Sequence, residues 1–283
     1  MYHRLLLCTD GSAAAAVATD YALWLATKFS ARLRALFVTD IRLLEGPWLA
    51  DLAGAIGAQP YAALLPRLQQ IQRERANSIF SELQEKCRQN GIQCEVAHET
   101  GSLVPIVRRY EHGADLVLLG QRGEHAAWGH GMLGSGVERV LRACVKPALV
   151  TPDSFRPVER ILIAYDGSRG ARRALDDGLE LTKRLGTQTT ILTACQLATE
   201  ETAADALREA EAIAQARAVN VQIQLAHGEA DAMILHWAHR TRADLIVMGA
   251  YGHTRIRELI LGSTTHQVLH KTTVPVLMVR GQP

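Results

Sequence analysis

Aromatic side chains are scarce, at 5% of 283 residues. A chain so poor in rings has little with which to stack single-stranded nucleic acid. Excess charge of one sign is also missing. Lys plus Arg number 31 against 29 Asp plus Glu, a formal net charge of +2. That balance gives no electrostatic reason to expect a nucleic-acid or membrane-surface partner. Cysteine is sparse: Cys8, Cys87, Cys94, Cys144 and Cys195 are odd in number and form no C-x-x-C. They read as free buried thiols of a reducing cytosol rather than as residues with a redox or metal role. No apolar run reaches the roughly 18 residues a membrane span needs. The opening Met1-Tyr-His-Arg leads straight into an apolar strand, with no signal-peptide pattern. The expectation is a cytoplasmic chain. There is no G-x-S-x-G elbow, no metal-hydrolase motif and no G-x-x-x-x-G-K-[ST], so no catalytic constellation is assigned.

What is present is a globular composition, 48% apolar and 21% charged, written twice. Arg4-Leu-Leu-Leu-Cys-Thr-Asp10-Gly-Ser12 recurs as Arg160-Ile-Leu-Ile-Ala-Tyr-Asp166-Gly-Ser168. Ala114-Asp115-Leu-Val-Leu-Leu-Gly120 recurs as Ala243-Asp244-Leu-Ile-Val-Met-Gly249. Gly134-Ser135 and Pro147-Ala-Leu-Val150 recur, in the same order, as Gly262-Ser263 and Pro275-Val-Leu-Met278. Repeats this long are domains rather than solenoid turns. The expected domains are 1–151 and 159–283, joined by a polar linker at Pro152–Glu159. An insert at about 41–66 is present only in the first domain and is expected to be a loop, lid or contact surface.

Each half alternates short apolar runs with helical patterns. Strands are predicted near 4–9, 32–38, 92–98, 115–119 and 147–151, and helices near 13–29, 67–90, 102–112 and 135–144. The second half repeats this, with strands near 160–165, 188–195, 220–227, 244–248 and 275–280, and helices near 169–185, 200–218, 230–241 and 263–271. Runs such as Leu116-Val-Leu-Leu119 do not alternate in polarity, so those strands are covered on both faces. The pattern predicts α/β architecture: two tandem doubly wound five-stranded parallel sheets, each in strand order 3-2-1-4-5. Ala148–Val150 and Val276–Val279 are candidates to pair within the chain; a homodimer is left open.

In such sheets ligands sit outside the carboxyl ends of the strands. Two features of each half reach that edge: the Asp-Gly-Ser after strand one and a glycine-rich stretch after strand four. The second half reads Gly249-x2-Gly252-x9-Gly262-Ser263-Thr264. Glycine lets a ligand approach the main chain, and a helix start offers unpaired N–H groups with the positive end of its dipole. Together with the hydroxyls they make a cradle for phosphate oxygens that needs no lysine.

This pattern, after the fourth strand and with an early Asp ending the first, resembles the universal stress protein family, and two units in one chain resemble its tandem members. The resemblance covers nearly the whole chain apart from the insert and implies a Rossmann-like fold in each half. It also implies a stress-response sensor or regulator that binds ATP or a related adenine nucleotide, with Mg²⁺ or Mn²⁺ bridging the phosphates. Asp166 matches the residue at the adenine–ribose end, while Ala194 and Met248 match those against the base. Gly249, Gly252, Gly262, Ser263 and Thr264 match those holding ribose and phosphates, with His253 beside them. The counterparts in the first half are Asp10, Val38, Leu119, Gly120, Gly123, Gly134 and Ser135. There the second spacing is ten residues rather than nine. A nucleotide-free interaction module of the same fold, or a slow ATPase, are the alternatives.

Other signals are weaker. Gly129-His-Gly131-Met-Leu-Gly134 matches a dinucleotide fingerprint, but it starts well after its strand and in the fourth βα unit. His266 with His270, and His236 with His239, have spacings that can ligate a metal. Without carboxylate or thiol partners they read as exposed helix faces. His125 and His130 flank Trp128 in the first glycine loop and read as loop surface.

Overall fold

Strand β1 (Arg4–Thr9), helix α1 (Ala13–Phe29) and strand β2 (Arg32–Asp40) open the chain in a computed structural model. It describes residues 1–40, 60–123, 133–250 and 261–280, with 60–65 as backbone only. The first half continues with α2 (Pro60–Gln89), β3 (Cys94–Gly101), α3 (Leu103–Glu111), β4 (Leu116–Gly120), α4 (Ser135–Ala143) and β5 (Ala148–Thr151). The second half follows with β6 (Arg160–Ala164), α5 (Arg169–Leu185), β7 (Gln188–Cys195) and α6 (Glu200–Ala216). It ends with β8 (Gln222–His227), α7 (Ala230–Arg240), β9 (Leu245–Ala250), α8 (Ser263–Lys271) and β10 (Val276–Arg280).

Among the described residues ten strands form one sheet, in the order β3-β2-β1-β4-β5-β10-β9-β6-β7-β8. Within each half every pairing is parallel and the order is 3-2-1-4-5. The seam between halves is antiparallel, with Val276 opposite Val150, Leu277 opposite Leu149 and Met278 opposite Ala148. The strands of the two halves therefore run in opposite directions, and their carboxyl ends lie at opposite edges of the sheet.

Successive strand residues point to opposite faces, and here both faces are core. Leu5, Leu7, Leu116 and Leu118 pack under α1 and α2, continuous with residues under α5 and α6. Leu6, Val117 and Leu119 pack under α3 and α4, continuous with residues under α7 and α8. That double burial is why the central strands are uninterrupted apolar runs.

The repeated Ala-Asp has a structural task in both halves. The Asp115 carboxylate accepts the main-chain N–H groups of His3 and Arg4, both at 3.0 Å. Asp244 likewise accepts those of Glu159 (3.1 Å) and Arg160 (3.0 Å). Each ties the first strand of its half to the fourth. The linker is docked rather than free. The Phe155 ring packs edge-on against Tyr21 at 4.8 Å and Trp24 at 6.5 Å, and the Tyr21 hydroxyl accepts the Arg156 N–H at 3.2 Å.

The helix expected from 67 begins at Pro60 and carries Pro66 inside it, so the last residues of the expected insert loop are helical. A proline leaves one helical hydrogen bond unmade, but the following turns pack Ala76, Phe80, Leu83 and Cys87 into the core. The remainder of the insert, 41–59, lies outside the described residues.

Candidate functional site

Each mouth starts with the turn after the first strand. The Asp10 Oδ1 accepts the Ser12 N–H at 2.9 Å, and Gly11 adopts φ +74° between them. Ser12 then caps α1 by accepting the Ala15 N–H at 3.2 Å. The second half repeats every contact. Asp166 Oδ1 accepts the Ser168 N–H at 2.9 Å, Gly167 has φ +75°, and Ser168 accepts the Ala171 N–H at 3.1 Å. The positive φ is what calls for glycine here.

Gly120 and Gly249, at the ends of β4 and β9, are explained by packing. A Cβ on Gly120 would lie 2.7 Å from the Ala14 carbonyl carbon and oxygen. On Gly249 it would lie 2.7 Å from the Ala171 nitrogen and the Gly170 carbonyl carbon. The first turn of α1 or α5 occupies the space a side chain would need. Leu119 and Met248, one residue earlier, are buried in the apolar core. Val38 and Ala194, near the ends of β2 and β7, are half-buried.

The second part of each mouth is the start of the motif helix. α4 opens on Gly134 and α8 on Gly262, and neither cap residue supplies a side-chain hydrogen bond. In each, the first N–H groups have no intrahelical acceptor. Ser135 and Ser263 are exposed beside them, with Thr264 half-buried. In the first half the structure brings Asp10, Gly123 and Gly134 together. A Cβ on Gly123 would be 3.0 Å from Asp10 Oδ2, and one on Gly134 would be 3.0 Å from the Gly123 nitrogen. The Gly134 N–H donates to the Gln121 carbonyl at 3.1 Å. Among the described residues, the nearest neighbour of a Cβ on Gly262 is Thr265 Oγ1 at 3.8 Å. Gly252 and His253 lie outside the described residues, as do His125, Trp128 and His130 and most of the ten-residue spacing.

The mouths also differ in what leans over the acidic turn. In the first, α2 supplies Arg75, which donates to the Asp10 carbonyl at 2.9 Å, and Ile79, whose Cδ1 is 2.5 Å from a Cβ position on Gly11. In the second, the nearest described atom to a Gly167 Cβ is the Ala206 methyl of α6 at 3.4 Å. Asp166 is exposed and Asp10 half-buried. Among the described residues the second turn is the more open. Arg139 of α4 reaches Asp40 at the end of β2 (3.1 Å), and Arg122 reaches Asp153 (2.9 Å). Arg139 corresponds by position to Gln267, so the sequence distinguishes the halves here, although the repeats alone did not flag it.

Side chains from each half also reach the far end of the other half's motif helix. The Gln121 amide donates to the Leu269 carbonyl of α8, and Arg280 donates to the Leu141 carbonyl of α4 at 3.0 Å. The Leu133 N–H donates to His270 Nε2 at 3.4 Å, and the His266 and His270 rings are 5.0 Å apart. That pair is half-buried, with His270 against Leu133, not on an exposed face as expected. His236 and His239 are exposed. Among the described residues no group of three or more His, Cys, Asp or Glu is placed to hold a metal.

These features define a class: a tandem α/β protein with a glycine-opened helix and an acidic turn at each of two mouths. A sequence model of the universal stress protein family matches residues 1–152 and again 157–280, and the chain belongs to that family. It is 35% identical over 287 residues to the universal stress protein Slr1230 of a Synechocystis strain, covering 98% of this chain and 99% of that one. The crystal structure of a universal stress protein from Archaeoglobus fulgidus matches with a TM-score of 0.77 at 25% identity, over 98% of this chain and 96% of that one. A functionally unknown Pseudomonas aeruginosa protein, PA1789, matches with a TM-score of 0.66 at 17% identity, over 99% and 93% of the two chains. That last likeness concerns the fold alone. Among the described residues no helix is long and apolar enough to cross a membrane.

Proposed function

We propose that the chain is a stress-response sensor that binds ATP or a related adenine nucleotide, foremost at the second mouth, with a more enclosed counterpart at the first. One observation carries the reading. α1 and α5, which follow the acidic turns, are capped by serine side chains, whereas α4 and α8, which follow the glycine motif, start on glycine, a residue with no side chain to cap them. Uncapped helix N–H groups beside exposed serines suit a phosphate tail. Asp166 and Ala194 would take the ribose and base, and Gly249, Gly262, Ser263 and Thr264 the tail; Gly252 and His253, which the family resemblance assigns to the tail, lie outside the described residues. Asp10, Val38, Gly120, Gly123, Gly134 and Ser135 would take the matching parts in the first half. Met248 and Leu119 then support the base pocket from beneath rather than facing it.

The donors fit a polyanion. They do not fit a resident metal ion, so Mg²⁺ or Mn²⁺ would be carried by the phosphates themselves. The proposed domain bounds are 1–151 and 159–283, and the proposed location is the cytoplasm.

The competing reading is a nucleotide-free interaction module. Its support is that packing alone accounts for Gly120 and Gly249. Isothermal titration with ATP, with and without Mg²⁺, separates the two, and absence of heat at millimolar ATP selects the module. Gly262→Val tests the site itself. The cap residue has φ −56° and ψ 147°, open to valine, and among the described residues the added Cβ meets nothing closer than 3.8 Å. The expected outcome is an unchanged circular dichroism spectrum with at least a tenfold loss of affinity, about 1.4 kcal/mol. Unchanged affinity would remove the second mouth as the site.

A further inference from the structure

Both ends of the first glycine motif are tied to the second half of the chain. Gln121, the residue after β4, is buried, with 5% of its surface exposed. Its side-chain amide donates to the Leu269 carbonyl in α8. Its main-chain N–H donates to the Thr151 carbonyl at 2.8 Å, and its own carbonyl accepts the Gly134 N–H at 3.1 Å. Leu133, buried immediately before Gly134, donates its N–H to His270 Nε2 at 3.4 Å. Gly134 in turn opens α4. The last turn of α8 therefore holds both the residue that leaves β4 and the residue that leads into α4, so the shape of the first mouth depends on a helix of the second half.

The two ties differ in chemistry. A carbonyl accepts at any pH. An imidazole nitrogen accepts an N–H only while it carries no proton, and histidine is the side chain whose charge ordinarily changes between pH 5 and 8. Proton uptake at Nε2 would set two N–H donors against each other. The titratable group beside His270 is His266, one turn earlier on α8, its ring centre 5.0 Å away. On α7, Asp231 pairs with Lys271 at 3.8 Å, while His236, His239 and Arg240 are exposed. On α4, Arg142 pairs with Glu138 and Arg139 with Asp40, and Arg280 of β10 donates to the Leu141 carbonyl. The second mouth is not tied in this way. Counting from the paired glycines, Gln121 corresponds to Ala250 and His270 to Arg142. A methyl group cannot donate, and a guanidinium cannot accept.

We propose that His270 is a positioning residue for the first mouth, a proton-sensitive latch on Leu133 that sets where Gly134 starts α4. Neutral, it accepts the Leu133 N–H and holds the start of α4 beside Gly123 and Asp10. Protonated, it releases Leu133 and loosens the cradle. The affinity of the first mouth for a phosphate-bearing ligand then falls as the pH drops, a response the second mouth lacks. That consequence for binding rests on the nucleotide reading given above; the latch itself rests on the hydrogen bonds around Leu133 and Gln121.

The test uses the full chain and two readouts. Leu133 is the only leucine that follows a methionine, so labelling methionine carbonyls with carbon-13 and leucine amides with nitrogen-15 isolates its amide signal by NMR. The expected result is that this signal shifts between pH 8 and pH 5 in the parent and in His266→Gln. In His270→Gln, whose amide oxygen accepts an N–H at every pH, it should stay in place. His270→Leu should displace it throughout, with no titration. A Leu133 signal indifferent to pH in the parent, or one that moves equally in His270→Gln, overturns the proposal. Titration with ATP in a Gly262→Val background, the second mouth blocked, reads the first mouth. Between pH 8 and pH 5.5 affinity should fall about threefold to tenfold further with His270 present than with His270→Gln, as loss of one hydrogen bond predicts. The comparison at matched pH cancels protonation of the phosphates. Equal pH profiles overturn the proposal. A Leu133 signal that titrates as expected in a protein that binds no ATP supports the latch and removes the nucleotide reading of the first mouth instead.

Discussion

Gly249 shows how one missing side chain serves packing before any ligand is considered. Its amide plane lies against the first turn of α5, and an alanine there would put carbon 2.7 Å from main-chain atoms that cannot step aside. Gly249→Ala should destabilise the protein by about 2–3 kcal/mol, as overpacking against rigid surroundings does. Urea unfolding would read this as a lower midpoint with unchanged slope. Asp115 works through charge. Burial pushes its carboxyl up, but Arg4 and the N–H groups of His3 and Arg4 outweigh that and hold it below the ordinary carboxylate range. A carboxyl with a depressed folded-state pKa contributes stability that is complete above its unfolded value, about 3.9. That stability is lost as pH falls through the folded value. Asp115→Asn should therefore lower the urea midpoint at pH 7, by about 1–2 kcal/mol in free energy. The gap between variant and parent should narrow as the pH drops below about 4.

At the scale of elements, the helix starts divide into two kinds. Removing a serine cap, as in Ser168→Ala, should cost about 1 kcal/mol and leave nucleotide affinity unchanged, measured by thermal unfolding and titration side by side. Most elements were legible in the sequence, because double burial wrote the strands as apolar runs and Asp-Gly-Ser marked the turn and cap of α1 and α5. The start of α2 was not. Pro66 reads as a breaker, yet the turns after it bury Ala76, Phe80 and Leu83, and tertiary packing overrides the local signal. The candidate site was legible in its parts, since the acidic turns, the glycines and the hydroxyls all carry local patterns. Which mouth is more open was not legible. That depends on Arg75 and Ile79 over one turn and Ala206 over the other, and nothing near either turn in sequence announces them. The exchange of Gln121 and Arg280 between halves was equally hidden, because long-range partners leave no spacing to read.

At the scale of the whole molecule, one sheet is shared by two halves and neither half is finished without the other. β5 and β10 are buried along their apolar residues, so either half alone would expose an unpaired apolar edge. Residues 1–152 and 157–280, expressed separately, should each self-associate or precipitate, and co-expressed they should form a one-to-one complex. Size-exclusion chromatography with mass determination would decide. The antiparallel seam has a further consequence. Nothing in its register requires that β5 and β10 belong to the same polypeptide; proximity through residues 152–159 settles the choice. A second copy offers an identical edge, so two chains can trade halves and bury the same surface twice. Trimming that connector until it no longer spans the joint should move the seam from within one chain to between two, an interlocked exchange with the seam's pairing kept and only its ownership changed.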